Sequence, residues 1–362
     1  MLYKVIGLMS GSSLDGLDIV FAELHETAGS WNYEIVAADC FEYDEAWQNR
    51  LRNATEMNAC DYQLLHTDYG RFIGLKINEF IEANNLQLKV NLVSSHGHTT
   101  FHLPKKRMTH QLGEGAAIAS VTRLPVVSDL RAMDIAFGGQ GAPIVPIGEK
   151  LLFPGYNFFL NIGGITNLSV KKEDGIIAFD ICAANRILNM LAAEKNLPYD
   201  NEGRLSAFGK IHNELLEKMN SLEYYRLTYP KSLANSFGTD TVFPIIKSFE
   251  INTEDALATY TEHICIQIKR SLVPFQKDGS QKLFITGGGA FNNFLIERLK
   301  KSIEEINFEI YIPEDDVVKY KEALIMALLG VLRWREQYTV LASVTGAVCN
   351  SIGGALWLGT EA

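Results

Sequence analysis

A short apolar run that ends in a glycine or hydroxyl loop and then resumes occurs twice, and this recurrence limits the fold more than any other feature of the chain. In the first copy Lys4 to Leu8 leads into Ser10-Gly11-Ser12-Ser13, and the apolar pattern returns over Leu17 to Leu24. In the second, Phe158 to Ile162 ends at Gly163-Gly164, and Thr166-Asn167 opens a strand through Val170, about 154 positions further on. Each copy reads as strand, tight turn, strand. A third strand, Leu283 to Ile285, ends in Thr286-Gly287-Gly288-Gly289 and leads into a helix near Asn292 to Lys301. Apolar spacing predicts helices over Asp61 to Asn84, Asp255 to Leu272 and Val317 to Trp334, a tightly packed Gly/Ala helix over Leu112 to Thr122, and a buried strand over Val90 to Ser94. Strands alternating with helices in two similar halves imply a two-lobed α/β protein with a mixed sheet in each lobe. The lobe boundary is expected near Leu130 to Gly148, where FGGQGAPIVP gathers glycines and two prolines, and the cleft between lobes is the expected ligand site.

The length of 362 residues suits two domains. Forty-three acids against 33 Lys and Arg leave a formal charge of -10, which repels polyanions, and the densest basic run, Lys105-Lys106-Arg107, reads as a solvated loop; no nucleic-acid partner is expected. Five scattered cysteines without a C-x-x-C pair suggest neither a disulfide framework nor a zinc knuckle. The longest apolar run, Ala323 to Leu332, is about half of the ~20 residues a membrane span needs, so no membrane association is expected. The start of the sequence lacks a signal peptide's cleavage pattern, and the expected location is the cytoplasm.

The turn Gly7 to Asp18 suits a phosphate. Glycine permits close backbone approach, amides and the Ser12 and Ser13 hydroxyls donate to phosphate oxygens, and Asp15 or Asp18 can hold magnesium through water. The spacing is neither G-x-x-x-x-G-K-[ST] nor G-x-G-x-x-G, and a glycine and serine turn is often structural alone. Two such loops and a third glycine loop together can grip the phosphate tail of a nucleotide and seat its base, which is most of what phosphoryl transfer asks of a protein.

This three-loop layout resembles the actin, hexokinase and heat-shock-chaperone ATPase superfamily. Ten ordered blocks resemble one family within it, the anhydro-N-acetylmuramic acid kinases: GLMSGSSLDGLD, SHGHTTFH, QLGEGAAIA, SDLRAMDIAFGGQGAPIVP, NIGGITNLS, FDICAAN, YPKS, DALATYTEH, TGGGAFNN and KEALIMA. The resemblance implies a two-lobed actin-like ATPase fold, also called ribonuclease-H-like, with an inter-lobe cleft. It places residues 1–130 and 335–362 in the first lobe, to which the stretch after Trp334 returns, and 131–334 in the second. It implies an enzyme that uses ATP and Mg2+ to phosphorylate O6 of 1,6-anhydro-N-acetylmuramic acid while water opens the anhydro ring, giving N-acetylmuramic acid 6-phosphate in peptidoglycan recycling, and it implies a homodimer.

The family's residues carry over position by position. Asp180 in FDICAAN matches the catalytic aspartate, the base toward water; its plainer reading is a strand-end carboxylate capping the helix near Ala184. The resemblance implies ATP contacts from Gly11, Ser12, Ser13, Leu14, Asp15, Gly16, Leu17, Asp18, Asn161, Gly163 and Gly164, with Asp15 holding Mg2+ through water. It puts Gly287, Gly288 and Gly289 under the adenosine, where side chains would block the base and ribose. Arg131 and Asp134 match a substrate stretch, the guanidinium being a natural partner for a lactyl carboxylate, although Asp129 or Asp134 can instead pair with Arg131. His96, Asn185 and Glu322 match further sugar-side positions. The plainer reading of Glu322 is a surface helix charge, and the histidines near His96 suit sugar hydrogen bonding or packing rather than zinc. Two segments depart: the usual T-G-P-G-N reads Cys182-Ala183-Ala184-Asn185, and the usual P-K-S-T-G-R-E reads Pro230 to Ser236 without its arginine or acid. A same-fold kinase for another amino or anhydro sugar, and a non-catalytic ATP-binding regulator, are the competing expectations.

Overall fold

The computed structural model describes every residue except Ser12, Asp174, Asn235, Glu361 and Ala362. Two compact units divide the chain: Met1–Pro154 with Tyr320–Ala362, and Gly155–Lys319.

The first unit is built on one mixed sheet. Strands β1 (Leu2–Ser10), β2 (Gly16–Thr27) and β3 (Ser30–Glu42) form an antiparallel meander. β4 (Leu92–Leu103) returns parallel to β1, β5 (Met108–Leu112) pairs back on β4, and β6 (Val126–Ser128) runs parallel to β4. The C-terminal strand Ala355–Trp357 closes this sheet antiparallel to β6. β1 is central and apolar because both of its faces are covered, β4 beside it is buried over Leu92 to His98 although Ser94, Ser95, His96 and His98 are polar, and β3, at the edge, is mostly half-buried or exposed.

The second unit repeats the scheme. β7 (Phe158–Ile162), β8 (Ile165–Lys172) and β9 (Gly175–Ala183) form the meander, and β10 (Gln281–Thr286) and β11 (Phe308–Tyr311) follow in parallel, in the order β11-β10-β7-β8-β9. The duplication read from two glycine loops is thus a duplication of whole units. Each carries the three-strand meander plus parallel crossovers of the actin-like, ribonuclease-H-like class. Each unit also has its own core, one around Ile6, Phe21, Tyr69 and Ile73, the other around Leu160, Ile187, Tyr260 and Ile285.

The long helices fall where spacing placed them: Ala59–Ala83, Thr253–Leu272, Asn293–Glu304 and Asp315–Trp334. Asn58, Asn252 and Asn292 cap the first three through side-chain oxygens, worth about 1 kcal/mol each. The helix expected over Leu112 to Thr122 begins only at Gly115, since Leu112 ends β5 and Gly113 turns the chain with φ 109°. It does pack tightly: a Cβ on Gly70 would lie 2.6 Å from Glu114 O, and one on Gly74 2.7 Å from Val121 Cβ.

Residues 131–154 and 320–334, expected in the second lobe, group with the first unit. The glycine and proline cluster turns the chain inside that unit. The helix Pro146–Leu152 that follows it packs so that a Cβ on Gly148 would lie 2.6 Å from Ile325 side-chain atoms, and Phe153 meets Tyr33 of β3 edge-on at 5.4 Å. Among the described residues no helix is long and apolar enough to cross a membrane.

Candidate active site

In the first unit the hairpin loop is anchored from both ends. Ser10, the last residue of β1, sits in a hydrogen-bond chain: the Tyr43 hydroxyl donates to Ser10 Oγ at 2.8 Å, and Ser10 Oγ meets His98 Nδ1 at 3.0 Å. Tyr69 completes the chain by bonding Tyr43. If donors run one way, Ser10 gives its proton to Nδ1, and His98 carries its own on Nε2. Burial holds that ring neutral, down at about 4. On the far side, Asp15 Oδ1 accepts from Ser13 Oγ at 2.6 Å and from the Gly16 amide at 3.1 Å. Leu17 is buried in the core, so only its backbone is available, and Gly16 admits no Cβ because Cys40 Sγ and Phe41 O stand within 2.8 Å of one. Ser12 lies outside the described residues.

Arg131 binds neutral groups. Its Nε donates to His96 Nε2 at 2.7 Å and its Nη1 to Gly141 O at 2.6 Å. His96 Nδ1 donates to Gly97 O at 2.8 Å, which leaves Nε2 as the acceptor, and burial together with Arg131 pushes the ring down to about 3. The guanidinium, drawn down by burial to about 10, stays charged at neutral pH and has no carboxylate bonded to it among the described residues. Asp134 does not pair with it. One Asp134 oxygen accepts from the Gly141 amide at 2.7 Å and the other from Thr345 Oγ1 at 2.6 Å, and the side chain is 1% exposed. Asp134 thus braces the loop: it holds the Gly141 amide, and the Gly141 carbonyl accepts from Arg131.

Glu322 lies near these groups on Asp315–Trp334. Burial raises its carboxyl, Lys321 and Arg131 draw it back, and Glu149 adds to the rise. Asp18, on β2 opposite Cys40, is pushed up to about 6, chiefly by burial and further by Asp15 and Glu322, against the Cys40 thiol hydrogen-bonded to it.

In the second unit Asp180 is a mid-strand residue of β9, opposite Asn167. Its Oδ2 accepts from the Leu233 amide at 2.8 Å, its own amide donates to Lys231 O, and its carbonyl accepts from Tyr224 OH. It does not cap the helix Asn185–Ala193, whose N-cap Ala184 receives no side-chain bond. Oδ1 has no hydrogen bond among the described residues. Burial raises the carboxyl, while the Leu233 amide and the Lys231 ammonium restrain the rise. Lys231 itself lies over the Tyr224 ring at 4.6 Å.

The glycine loops of this unit divide by role. A Cβ on Gly287 would meet Asn161 Oδ1 at 2.4 Å, and one on Gly289 would meet Ile162 Cγ2 at 2.2 Å, so these two are glycine because β7 lies against them. Gly288 and Gly164 have room for a Cβ, which would meet its nearest neighbour at ordinary contact distance, 3.4 Å from Asn185 Nδ2 and 4.0 Å from Arg186 Cβ. Gly163 is similarly open, its nearest neighbour 3.4 Å away. Asn185 ties the loops together: its Nδ2 donates to Ile162 O at 3.0 Å and its amide to Gly163 O.

A model of the anhydro-N-acetylmuramic acid kinase family matches residues 3–359. The chain belongs to that family. It is 31% identical over 370 residues to an anhydro-N-acetylmuramic acid kinase of Bacillus cereus, covering 95% of this chain and 96% of the relative. To the enzyme of that name from Aliivibrio fischeri it is 34% identical over 312 residues, covering 82% and 83%. Among solved structures, the activator of the 2-hydroxyisocaproyl-CoA dehydratase from Clostridium difficile with bound ADPNP aligns over 93% of this chain and 96% of its own at 16% identity, with a TM-score of 0.45. Membership makes the chain a sugar kinase.

Against the family's pattern, the changed T-G-P-G-N segment lies inside the core. Cys182, Ala183 and Ala184 are buried, and Ala183 O accepts from Tyr260 OH at 2.8 Å, while Asp180 and Asn185 on either side keep their bonds. In the changed P-K-S-T-G-R-E segment Lys231 and Leu233 are the residues that touch Asp180, and Asn235 lies outside the described residues. Sequence reasoning missed these two, together with Tyr224, Cys40 and Glu149. Only Lys231 stood in a quoted block.

Asp18 is expected to leave a measurable mark on stability. Its native value of about 6 lies above the ordinary 3.8, so the folded chain holds this proton more tightly than the unfolded one. Stability therefore falls as pH rises from about 4 to about 6, and the full cost, up to about 3 kcal/mol, persists above that window. Asp18→Asn is expected to raise the melting temperature by several degrees at pH 7.5 and by almost nothing at pH 4, measured by scanning calorimetry. An equal gain at both pH values overturns the assignment.

Proposed function

We propose that this chain transfers the γ-phosphoryl group of ATP to O6 of 1,6-anhydro-N-acetylmuramic acid while water adds at C1. The C1–O6 bond breaks, O6 takes the phosphorus, ADP departs, and the water proton passes first to Asp180 and then to solvent, leaving N-acetylmuramic acid 6-phosphate. The observation that carries this reading is the Asp180 carboxylate, with one oxygen held by the Leu233 amide and the other, which has no hydrogen bond among the described residues, assigned to accept the proton. Burial raises its basicity, and Lys231 favours its ionised form.

Family membership supports ATP as the donor, and the open backbone at Gly163, Gly164 and Gly288 suits a nucleotide. In the first unit the anchored turn Gly11 to Asp18 is assigned to phosphate. Asp15, with Oδ1 already bonded, and Asp18 would hold a magnesium ion through water, which supplies neutralisation of phosphate charge. The Arg131 charge, bonded among the described residues to a ring nitrogen and a carbonyl, is assigned to the sugar's carboxylate, with His96 orienting it. Such an enzyme works where ATP and wall fragments meet, in the cytoplasm, as a step of peptidoglycan recycling.

The departures beside Asp180 favour one second reading, a kinase of the same fold for a related anhydro or amino sugar. Incubating the protein with anhydro-N-acetylmuramic acid, ATP and magnesium in oxygen-18 water separates the two. Label at C1 of a 6-phosphorylated product supports the first reading, and ATP turnover only with a different sugar supports the second. No ATP turnover with any sugar of a panel sinks both and leaves a nucleotide-binding regulator.

A further inference from the structure

Two buried charges stand beside Glu322, and the reading above uses neither. Lys321 Nζ donates to Glu149 Oε1 at 2.8 Å, with both side chains only 4% exposed. Glu149 belongs to the helix Pro146–Leu152, and its second oxygen, Oε2, is buried without a hydrogen-bond partner among the described residues. Cohesion does not account for such a pair. Taking two charges out of water costs several kcal/mol each, a well-packed apolar pair often holds a core as well or better, and an unbonded buried oxygen adds to the cost.

What the pair has for a neighbour is Glu322, the next residue of the helix Asp315–Trp334. The charged groups around its carboxyl are Lys321 on its own helix, Glu149 on Pro146–Leu152, Arg131 ahead of the helix Ala132–Ala136, and Asp18 on β2. The geometry points to Lys321 and Glu149 as positioning residues for this kinase: their bond pins that turn of the helix to Pro146–Leu152 and keeps the local charge beside the Glu322 carboxyl balanced. The inference rests on the reading that Glu322 faces the sugar. Removing the ammonium leaves the Glu149 carboxylate beside Glu322 without that counter-charge, and removing the Glu149 charge leaves the positive charge of Lys321 beside Glu322 with one carboxylate fewer. The two changes push Glu322 in opposite directions, which two packing defects have no reason to do.

The test compares Lys321→Met, Glu149→Gln and the double variant Lys321→Met/Glu149→Leu in the full chain. One readout is the pH profile of kcat/KM for the sugar. The other is the 13C carboxyl resonance of Glu322 in glutamate-labelled protein, assigned by its loss in Glu322→Gln. Lys321→Met is expected to raise the resonance midpoint and the acid limb by about one pH unit, a roughly tenfold loss of rate at pH values below both midpoints. Glu149→Gln is expected to lower them, and the double variant to return toward the wild type. Midpoints that stay put, or that move the same way in both single variants, overturn the inference. Opposite midpoint shifts in a protein that phosphorylates no sugar keep the pairing and sink the functional reading. If Lys321→Met does not fold, Lys321→Arg is expected to leave the midpoint in place while Glu149→Gln still lowers it, and a Glu149→Gln midpoint that does not fall overturns the proposal.

Discussion

Asp180→Asn is expected to lower kcat by about 10^3, in the middle of the range a positioned general base supplies. The amide is the same size and its oxygen still accepts from the Leu233 amide, so the bonds of Tyr224 and Lys231 to the backbone of this strand stay in place. What it lacks is an oxygen that takes a proton. The affinity for ATP, read by calorimetric titration, is expected to stay within about twofold, because nothing in the substitution alters the glycine loops. The wild-type rate should fall on the acidic side as a proton occupies Asp180. That limb lies above the ordinary carboxylate range, since burial raises the group. Loss of this limb from kcat in Asp180→Asn, with the Glu322 limb of kcat/KM retained, identifies the base. A variant that keeps more than a tenth of the wild-type kcat removes Asp180 from that role.

The second large effect is expected at Arg131. Arg131→Met keeps much of the side chain's bulk and removes the charge, and truncating one partner of a buried charged hydrogen bond costs about 3 kcal/mol, hence a ~10^2-fold fall in kcat/KM for the muramic sugar. Most of it should appear in KM, as for a group that binds ground state and transition state alike. The substitution also leaves His96 Nε2 and Gly141 O without their donor, so lost packing is a rival cause. A substrate without the lactyl group separates the two. Anhydro-N-acetylglucosamine has no carboxylate, and wild type and variant should use it with similarly low efficiency. If the variant is impaired to the same degree on both sugars, Arg131 supports structure and does not read the acid.

The repeated loop was enough to foresee two α/β units, and long apolar periodicities located the helices to within a few residues. The third strand of the first meander was not foreseen: β3 alternates weakly and lies at an edge, where half its side chains have no core to match. That omission also hid the neighbour of Asp18, because Cys40 reaches it only through the pairing of β2 with β3. The boundary went astray for a related reason. Glycines and prolines mark turns, and the turn at 138–143 is held inside the first unit by Asp134, through bonds to Gly141 and to a threonine near the C-terminus. The catalytic candidates Asp180, Arg131, His96 and Glu322 came from resemblance. What surrounds them did not, since Leu233, Tyr224 and Glu149 act through an amide, a hydroxyl and a carboxylate that no spacing in the sequence singles out.

The triple glycine after β10 shows how one short motif answers to two unrelated demands. Its outer members are dictated by the protein's own interior and would stay glycine even in a descendant that had lost every ligand. Only the middle one is released from that constraint. A natural history of this loop should therefore record drift at Gly288 first, and loss of binding should leave its flanks unchanged.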